Sequence, residues 1–347
     1  MKPEWKEFLA AAGAEFDDCN VVRSFGNAER ERRMALSGTV FADLSHEGLV
    51  AVRGTDAPVF LQSQFANDIR QVSETRSQLS AYCDAKGRML ADFRIIQRGD
   101  TYYLKLPLEM VEPLLQRLQL FVLRSDVSLE DASEAFVRIG VSGAEAAEEL
   151  TSALGSVPEA IDDLVVRDSH SIVRVPGVQP RFEVFATLEA ARELWDALNV
   201  RAAPVGAPAW QLLDILAGIP VILPATMGLF VPQMANMERL GAISFHKGCY
   251  PGQEIVARTQ YLGKLKRRMY LARVRVDGEE PPHPGDALYF GQDPEQSAGR
   301  VVNAQPHPDG GHALLAVIQT AGLEQDSVHL RSADGPALEV IEGWGEE

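Results

Sequence analysis

The sequence predicts an α+β protein of more than one domain whose chain ends in a small β-barrel. Its 347 residues exceed what one ordinary hydrophobic core organises. Up to about Arg267, period-2 apolar runs and helix-spaced apolar residues mix without a strict βαβ repeat. Beyond Arg267 helix signals nearly vanish, and short strand candidates succeed one another between Gly/Pro-rich turns, the pattern of a small all-β barrel. Apolar residues at 46% and charged residues at 24% make a globular composition.

Residues 48–53 read as a strand. Thr55 then suits an N-cap and Pro58 the first turn of a helix on which Val59, Phe60 and Phe65 supply apolar contacts. Residues 79–83 are strand-like, Asp84-Ala85-Lys86-Gly87 is a turn signal, and 88–97 is the returning strand. After the turn Arg98-Gly99-Asp100, residues 101–106 form a strand, and Met110, Leu114, Leu118 and Phe121 recur at helical spacing. Residues 136–141 and 172–175 suit strands; 144–154 and 188–198 suit helices. In the C-terminal stretch the strands fall at 269–276, 287–290, 300–303, 313–319, 328–330 and 338–341, with a domain boundary near 262–270. No internal repeat is evident.

Charge narrows the partners. Lys plus Arg number 33 and Asp plus Glu 49, a formal charge of −16, which repels nucleic acid and anionic membrane on average. A bound anion must therefore meet a local basic patch, and residues 264–268 are the candidate. Cys19, Cys83 and Cys249 are few, odd in number and widely spaced; they suit a reducing compartment and suggest no zinc or iron–sulfur site built within the chain. Met1-Lys2-Pro3-Glu4-Trp5-Lys6-Glu7 lacks an apolar signal-peptide segment, and the longest apolar run, 212–225, is interrupted by Asp214, Gly218, Pro220 and Pro224. The expectation is a soluble, cytoplasmic monomer with no metal, no membrane partner and no direct nucleic-acid binding.

The most informative segment is Gly241-Ala242-Ile243-Ser244-Phe245-His246-Lys247-Gly248-Cys249-Tyr250-Pro251-Gly252-Gln253-Glu254. Gly248, Pro251 and Gly252 imply a tight turn, and Gln253 and Glu254 open a helix with Ile255 and Val256 facing the core. Lys247, two residues from Cys249, places an ammonium where it would favour a thiolate. Tyr250 adds an aromatic face. The same string also reads as a Gly-rich turn around a buried, inert Cys.

The run Lys247-Gly248-Cys249-Tyr250-Pro251-Gly252-Gln253-Glu254, continuing into Ile255-Val256-Ala257-Arg258, resembles the signature of the YgfZ subgroup of the GcvT-like family. The resemblance covers nearly the whole chain. Phe60-Leu61-Gln62-Ser63-Gln64 with Asn67-Asp68 resembles the family's early helix, and Cys83-Asp84-Ala85-Lys86-Gly87-Arg88-Met89 its hairpin. Ala217-Gly218-Ile219-Pro220, then Phe230-Val231-Pro232-Gln233 and Asn236, resembles the family's stretch before the signature, and residues 261–267 resemble its stretch after the signature.

The resemblance implies a three-part GcvT-like ring. Residues 1–240 would form mixed α+β folate-binding subdomains, 241–266 the signature and linker, and 267–347 the C-terminal β-barrel. It implies tetrahydrofolate or a one-carbon derivative as cofactor in a central site, and a role supporting iron–sulfur client or assembly proteins, including enzymes that modify tRNA. Lys247 and Cys249 would be the family's functional Lys and Cys, and Trp210 its pterin-side Trp. A second family Trp is expected where this chain has Glu47-Gly48-Leu49. Glu183 resembles the transferase relatives' pterin-binding Glu, although its period-2 position also suits the solvent face of a strand. Asp92 resembles the transferase's catalytic Asp, but the paired Asp-Asp of that enzyme is Ala91-Asp92 here. Tyr250 offers a stacking face beside Trp210. Arg258, with Lys264, Lys266, Arg267 and Arg268, offers cations for an anionic folate tail or forms a solvated linker. Three functions are compatible with these residues: a folate-dependent accessory protein, a true aminomethyltransferase, or a non-catalytic interaction module.

Overall fold

The computed structural model describes residues 1–261, 265–276, 278, 280–323 and 326–341, with the side chains of 293–296 left aside. The chain divides into two compact units that interleave in sequence: Met1–Leu61, Ile69–Gln78 and Phe93–Leu213 in the first, Gln62–Asp68, Leu79–Asp92 and Asp214–Glu347 in the second.

The first unit is built on two large sheets, beside a two-stranded one of Glu15–Phe16 and Val22–Ser24. One has six strands in the order Leu164–Val166, His170–Arg174, Arg181–Ala186, Val137–Ser142, Val40–Asp43 and Ala203–Val205, antiparallel except for the last pair. Alternation along Arg181–Ala186 explains its two faces. Phe182 and Val184 join Phe41, Ile139 and Val141 in a core covered by the helices Leu188–Leu198 and Pro3–Ala11. Trp195 sits there edge-on to Phe41, with ring centroids 4.6 Å apart. Thr187 caps the Leu188–Leu198 helix by accepting the Ala190 amide, as a Thr before an apolar-periodic run is disposed to do. Phe185 points the other way, into a core shared with Leu49, Ala51, Ile96 and Tyr103 of the second sheet. Within this unit that sheet comprises residues 93–98, Thr101–Pro107, Glu47–Arg53 and Ser128–Asp131.

In the second unit, residues 79–92 form a hairpin whose turn is closed by the Asp84 amide donating to the Arg88 carbonyl at 2.9 Å. The C-terminal strands form one six-stranded antiparallel sheet in the order Val328–Leu330, Ala287–Phe290, Asp293–Pro306, His312–Gln319, Arg267–Val274 and Leu338–Val340. Its two outer strands meet through an isolated bridge between His329 and Ala337, so the sheet nearly closes around Leu288, Val301, Leu314, Ala316 and Ile318. The fold is the expected α+β with a C-terminal barrel.

Several local expectations are corrected. Thr55 is no cap: its hydroxyl donates to Asp126 Oδ2 at 2.8 Å, and the helix Ala57–Gln64 starts one residue after Asp56. Val59 on that helix is exposed. Met110, Leu114 and Leu118 are buried on the helix Leu108–Val122, but Phe121, one residue before the helix ends, is exposed. Ile255 is likewise partly exposed, while Val256 is fully buried. Among the described residues no helix is long and apolar enough to cross a membrane.

Candidate functional site

In the first unit, the face of Arg181–Ala186 opposite the helices carries Arg181, Glu183 and Phe185. Glu183 is only 3% exposed, so the solvent-face alternative is overturned: that face of the strand packs against a second sheet. Lys105 donates to Glu183 Oε1 at 2.7 Å and lies 2.9 Å from Glu47 Oε2. Burial pushes the Glu183 carboxyl up, but the Lys105 ammonium and the guanidinium groups of Arg94 and Arg181 outweigh it and hold the carboxyl below its ordinary value. Glu183 is therefore ionised. Its second oxygen, Oε2, is buried with no hydrogen-bond partner among the described residues.

Strand pairing sets Glu183 opposite Gly140, and the indole of Trp210 lies over Gly140. A Cβ added there would come within 2.5 Å of the ring, which is why a glycine interrupts this strand. The Arg181 guanidinium lies 3.9 Å from the Trp210 ring centroid and donates to the Trp210 carbonyl at 3.2 Å. Trp210 is fully buried, and its Nε1 has no hydrogen-bond partner among the described residues. Glu183 and Trp210 thus meet on one sheet face. The ring is packed against Gly140 and Arg181 and belongs to a core with Val40, Ala42, Val205 and Leu213, rather than forming an open stacking face.

Asp92, Lys247, Cys249, Tyr250 and Arg258 belong to the second unit. Lys247 is 9% exposed; its ammonium donates to the carbonyls of Phe65 and of Asn67, the latter at 2.8 Å, and lies 5.2 Å from the Tyr250 ring centroid. The ammonium therefore pins the segment 65–67 to the signature. Asn67 completes the joint by donating to the carbonyls of Leu79 and Gly241, each at 2.8 Å. Tyr250 is buried, and burial together with nearby Cys83 raises its phenol above the ordinary value. Cys249 is exposed, which corrects the buried-Cys alternative. Cys83 is buried, and desolvation with a smaller effect from Asp84 pushes its thiol up to about 12. Asp92 is buried too and accepts the Ile222 amide at 2.7 Å.

The basic stretch separates into parts. Arg258 is exposed on the helix Gln253–Tyr261. Arg268 donates to the Gln233 carbonyl and Asn236 Oδ1, each at 3.3 Å, and pairs with Glu238. That engagement ties its guanidinium into the fold. Lys264 lies outside the described residues. Gln233 and Asn236 also have structural duties, donating to the carbonyls of Val256 and Met269 at 2.6 and 2.9 Å.

Sequence reasoning missed Lys105, Arg181 and Gly140. Lys105 is the one charge in an otherwise apolar and aromatic strand, and Gly140 is a lone glycine within a strand. Both are legible signals of a close contact.

Comparison with known proteins gives three results. Residues 5–240 match the family described as GCVT N-terminal domain. The chain is 32% identical over 292 residues to tRNA-modifying protein YgfZ of Colwellia psychrerythraea, covering 83% of this chain and 87% of that protein. It is 34% identical over 284 residues to the protein of the same name from Edwardsiella ictaluri, covering 80% and 84%. Among solved structures, the glycine cleavage system aminomethyltransferase T of Bartonella henselae superposes with a TM-score of 0.72 over 96% of this chain and 94% of that one; at 17% identity this is a likeness of fold.

Proposed function

The chain belongs to the GCVT N-terminal domain family, among the YgfZ proteins, and on that premise we propose that it is a tetrahydrofolate-binding accessory protein that supports tRNA modification through iron–sulfur client or assembly proteins. The observation that carries the ligand reading is Glu183, a buried carboxylate kept ionised by Lys105 with one oxygen unused. A pterin presents a ring N–H and an exocyclic amine on one edge, which suit a carboxylate acceptor. Trp210, with its own unpartnered indole N–H on the same face, makes the surroundings apolar and rigid.

These residues fit a folate. Bound tetrahydrofolate supplies a ring nitrogen that carries one-carbon units. Glu183 binds and orients, Lys105 holds the carboxylate in its acceptor form, and Arg181 fixes Trp210 over Gly140. Cys249 is the exposed nucleophile of the signature, and Arg258 is an exposed cation on the adjoining helix. The net charge of −16 argues that tRNA is reached through client enzymes rather than gripped by this surface, and the reading places the protein in the cytoplasm.

Calorimetric titration with tetrahydrofolate tests the ligand reading. We expect saturable binding that Glu183→Gln weakens tenfold or more, in keeping with the roughly 1.5–3 kcal/mol typical of a hydrogen bond to a charged group. No saturable binding at millimolar ligand by the folded wild-type protein would sink it.

A further inference from the structure

We propose that Gln78 is a second polar contact for the ring bound at Glu183, supplying the donor that a carboxylate lacks. This rests on the folate reading above. Gln78 is 5% exposed, and both ends of its carboxamide, Nε2 and Oε1, are buried with no hydrogen-bond partner among the described residues. An amide unsatisfied at both ends is rare in a native interior and destabilises it. A partner from outside the chain accounts for its presence.

Its position agrees. Gln78 opens the strand Gln78–Cys83, the sheet neighbour of Met89–Arg98. Counting back along the hairpin from the Asp84–Arg88 closing bond sets Gln78 opposite Arg94. Arg94 in turn stands opposite Lys105 in the next ladder, and Lys105 holds Glu183 at 2.7 Å. Directly opposed residues share a sheet face, so Gln78, Arg94 and Lys105 make one cross-strand row leading to Glu183. Arg94 is engaged: it donates to Ser77 Oγ at 2.9 Å and pairs with Asp162. Lys105 is engaged by two carboxylates. In that row, Gln78 holds a donor and an acceptor that the fold does not use. Ionised Glu183 can only accept, whereas the pterin edge continues from its N–H donors to a carbonyl oxygen that needs a donor. The Gln78 NH₂ is of the right kind.

The test titrates tetrahydrofolate into the full-length wild type, Gln78→Leu and Gln78→Met, and measures the ligand-free Tm of each. We expect both variants to bind about three- to tenfold more weakly, the effect of one lost neutral hydrogen bond. We also expect both to have a higher ligand-free Tm, because an unsatisfied buried amide has been replaced by an apolar side chain. Unchanged affinity in variants of a wild type that does bind overturns the Gln78 assignment and leaves the folate reading standing. A lowered ligand-free Tm in both variants also overturns it, since the amide is then satisfied within the folded chain. A folded wild type that fails to bind removes the folate reading and this one with it.

Discussion

At the scale of single residues, Lys105 sets the chemistry of its surroundings. Two buried carboxylates, Glu47 and Glu183, converge on one ammonium. Removing one partner of a buried ion pair leaves an uncompensated charge, at a cost of about 3–5 kcal/mol. Lys105→Met should therefore destabilise by roughly that amount, and adding Glu183→Gln should recover part of it. The pH dependence separates this from simple loss of packing. In the wild type the Glu183 carboxyl is held below its ordinary value. Its contribution is therefore fully present above the unfolded-state value of about 4.3 and is lost as pH falls through the lower folded value. In Lys105→Met, burial dominates and the folded value moves above the unfolded one. The folded state then binds the extra proton, and stability declines as pH rises from about 4.3 through the raised value. Urea midpoints at pH 5 and pH 8 check this. A Lys105→Met protein with no greater loss at pH 8 than the wild type would show that Glu183 is not desolvated as described.

At the scale of elements, the signature and the hairpin form one structural joint. Gly252 has φ +80°, and a Cβ there would lie 2.4 Å from the Asp84 carbonyl oxygen. Across from it Gly87, at φ +71°, leaves room for Ile255. The two motifs co-occur in the sequence because each supplies the glycine that lets the other approach. Gly248 differs: its φ is not positive, and a Cβ would meet nothing within 4 Å. We therefore expect Gly252→Ala to cost about 2 kcal/mol or more, from the left-handed backbone and the clash together. Gly248→Ala should stay within about 0.5 kcal/mol of wild type. Denaturant midpoints of the two variants decide it, and equal losses would refute the joint. Much of this was legible in the sequence. Turn residues and short alternating runs located the hairpin and the C-terminal strands, because those signals are local. The faces were less legible. Period 2 says that Glu183 opposes Phe182 and Val184, but not that a second sheet covers its side, so a buried acceptor read equally well as a solvated charge. The partners of Arg268 were hidden for the same reason: Gln233, Asn236 and Glu238 lie 30 to 35 positions away in sequence.

At the scale of the whole molecule, the likeness to an aminomethyltransferase is one of fold, and fold does not decide chemistry. The residues must decide it, and we propose that they disfavour aminomethyl transfer. The resemblance would set the transferase's paired Asp-Asp at Ala91-Asp92, and Asp92 is buried with the Ile222 amide 2.7 Å from Oδ1. That carboxylate is engaged in holding a backbone amide. In the signature at 247–254, the lysine is occupied by the carbonyls of Phe65 and Asn67. Supplied with an aminomethyl-lipoyl carrier protein and tetrahydrofolate, the full-length protein should release ammonia no faster than a protein-free control. The informative comparison is with Asp92→Asn. If the wild type releases ammonia robustly and Asp92→Asn abolishes that release while remaining folded, Asp92 is a working catalytic base and the accessory reading gives way to a transferase.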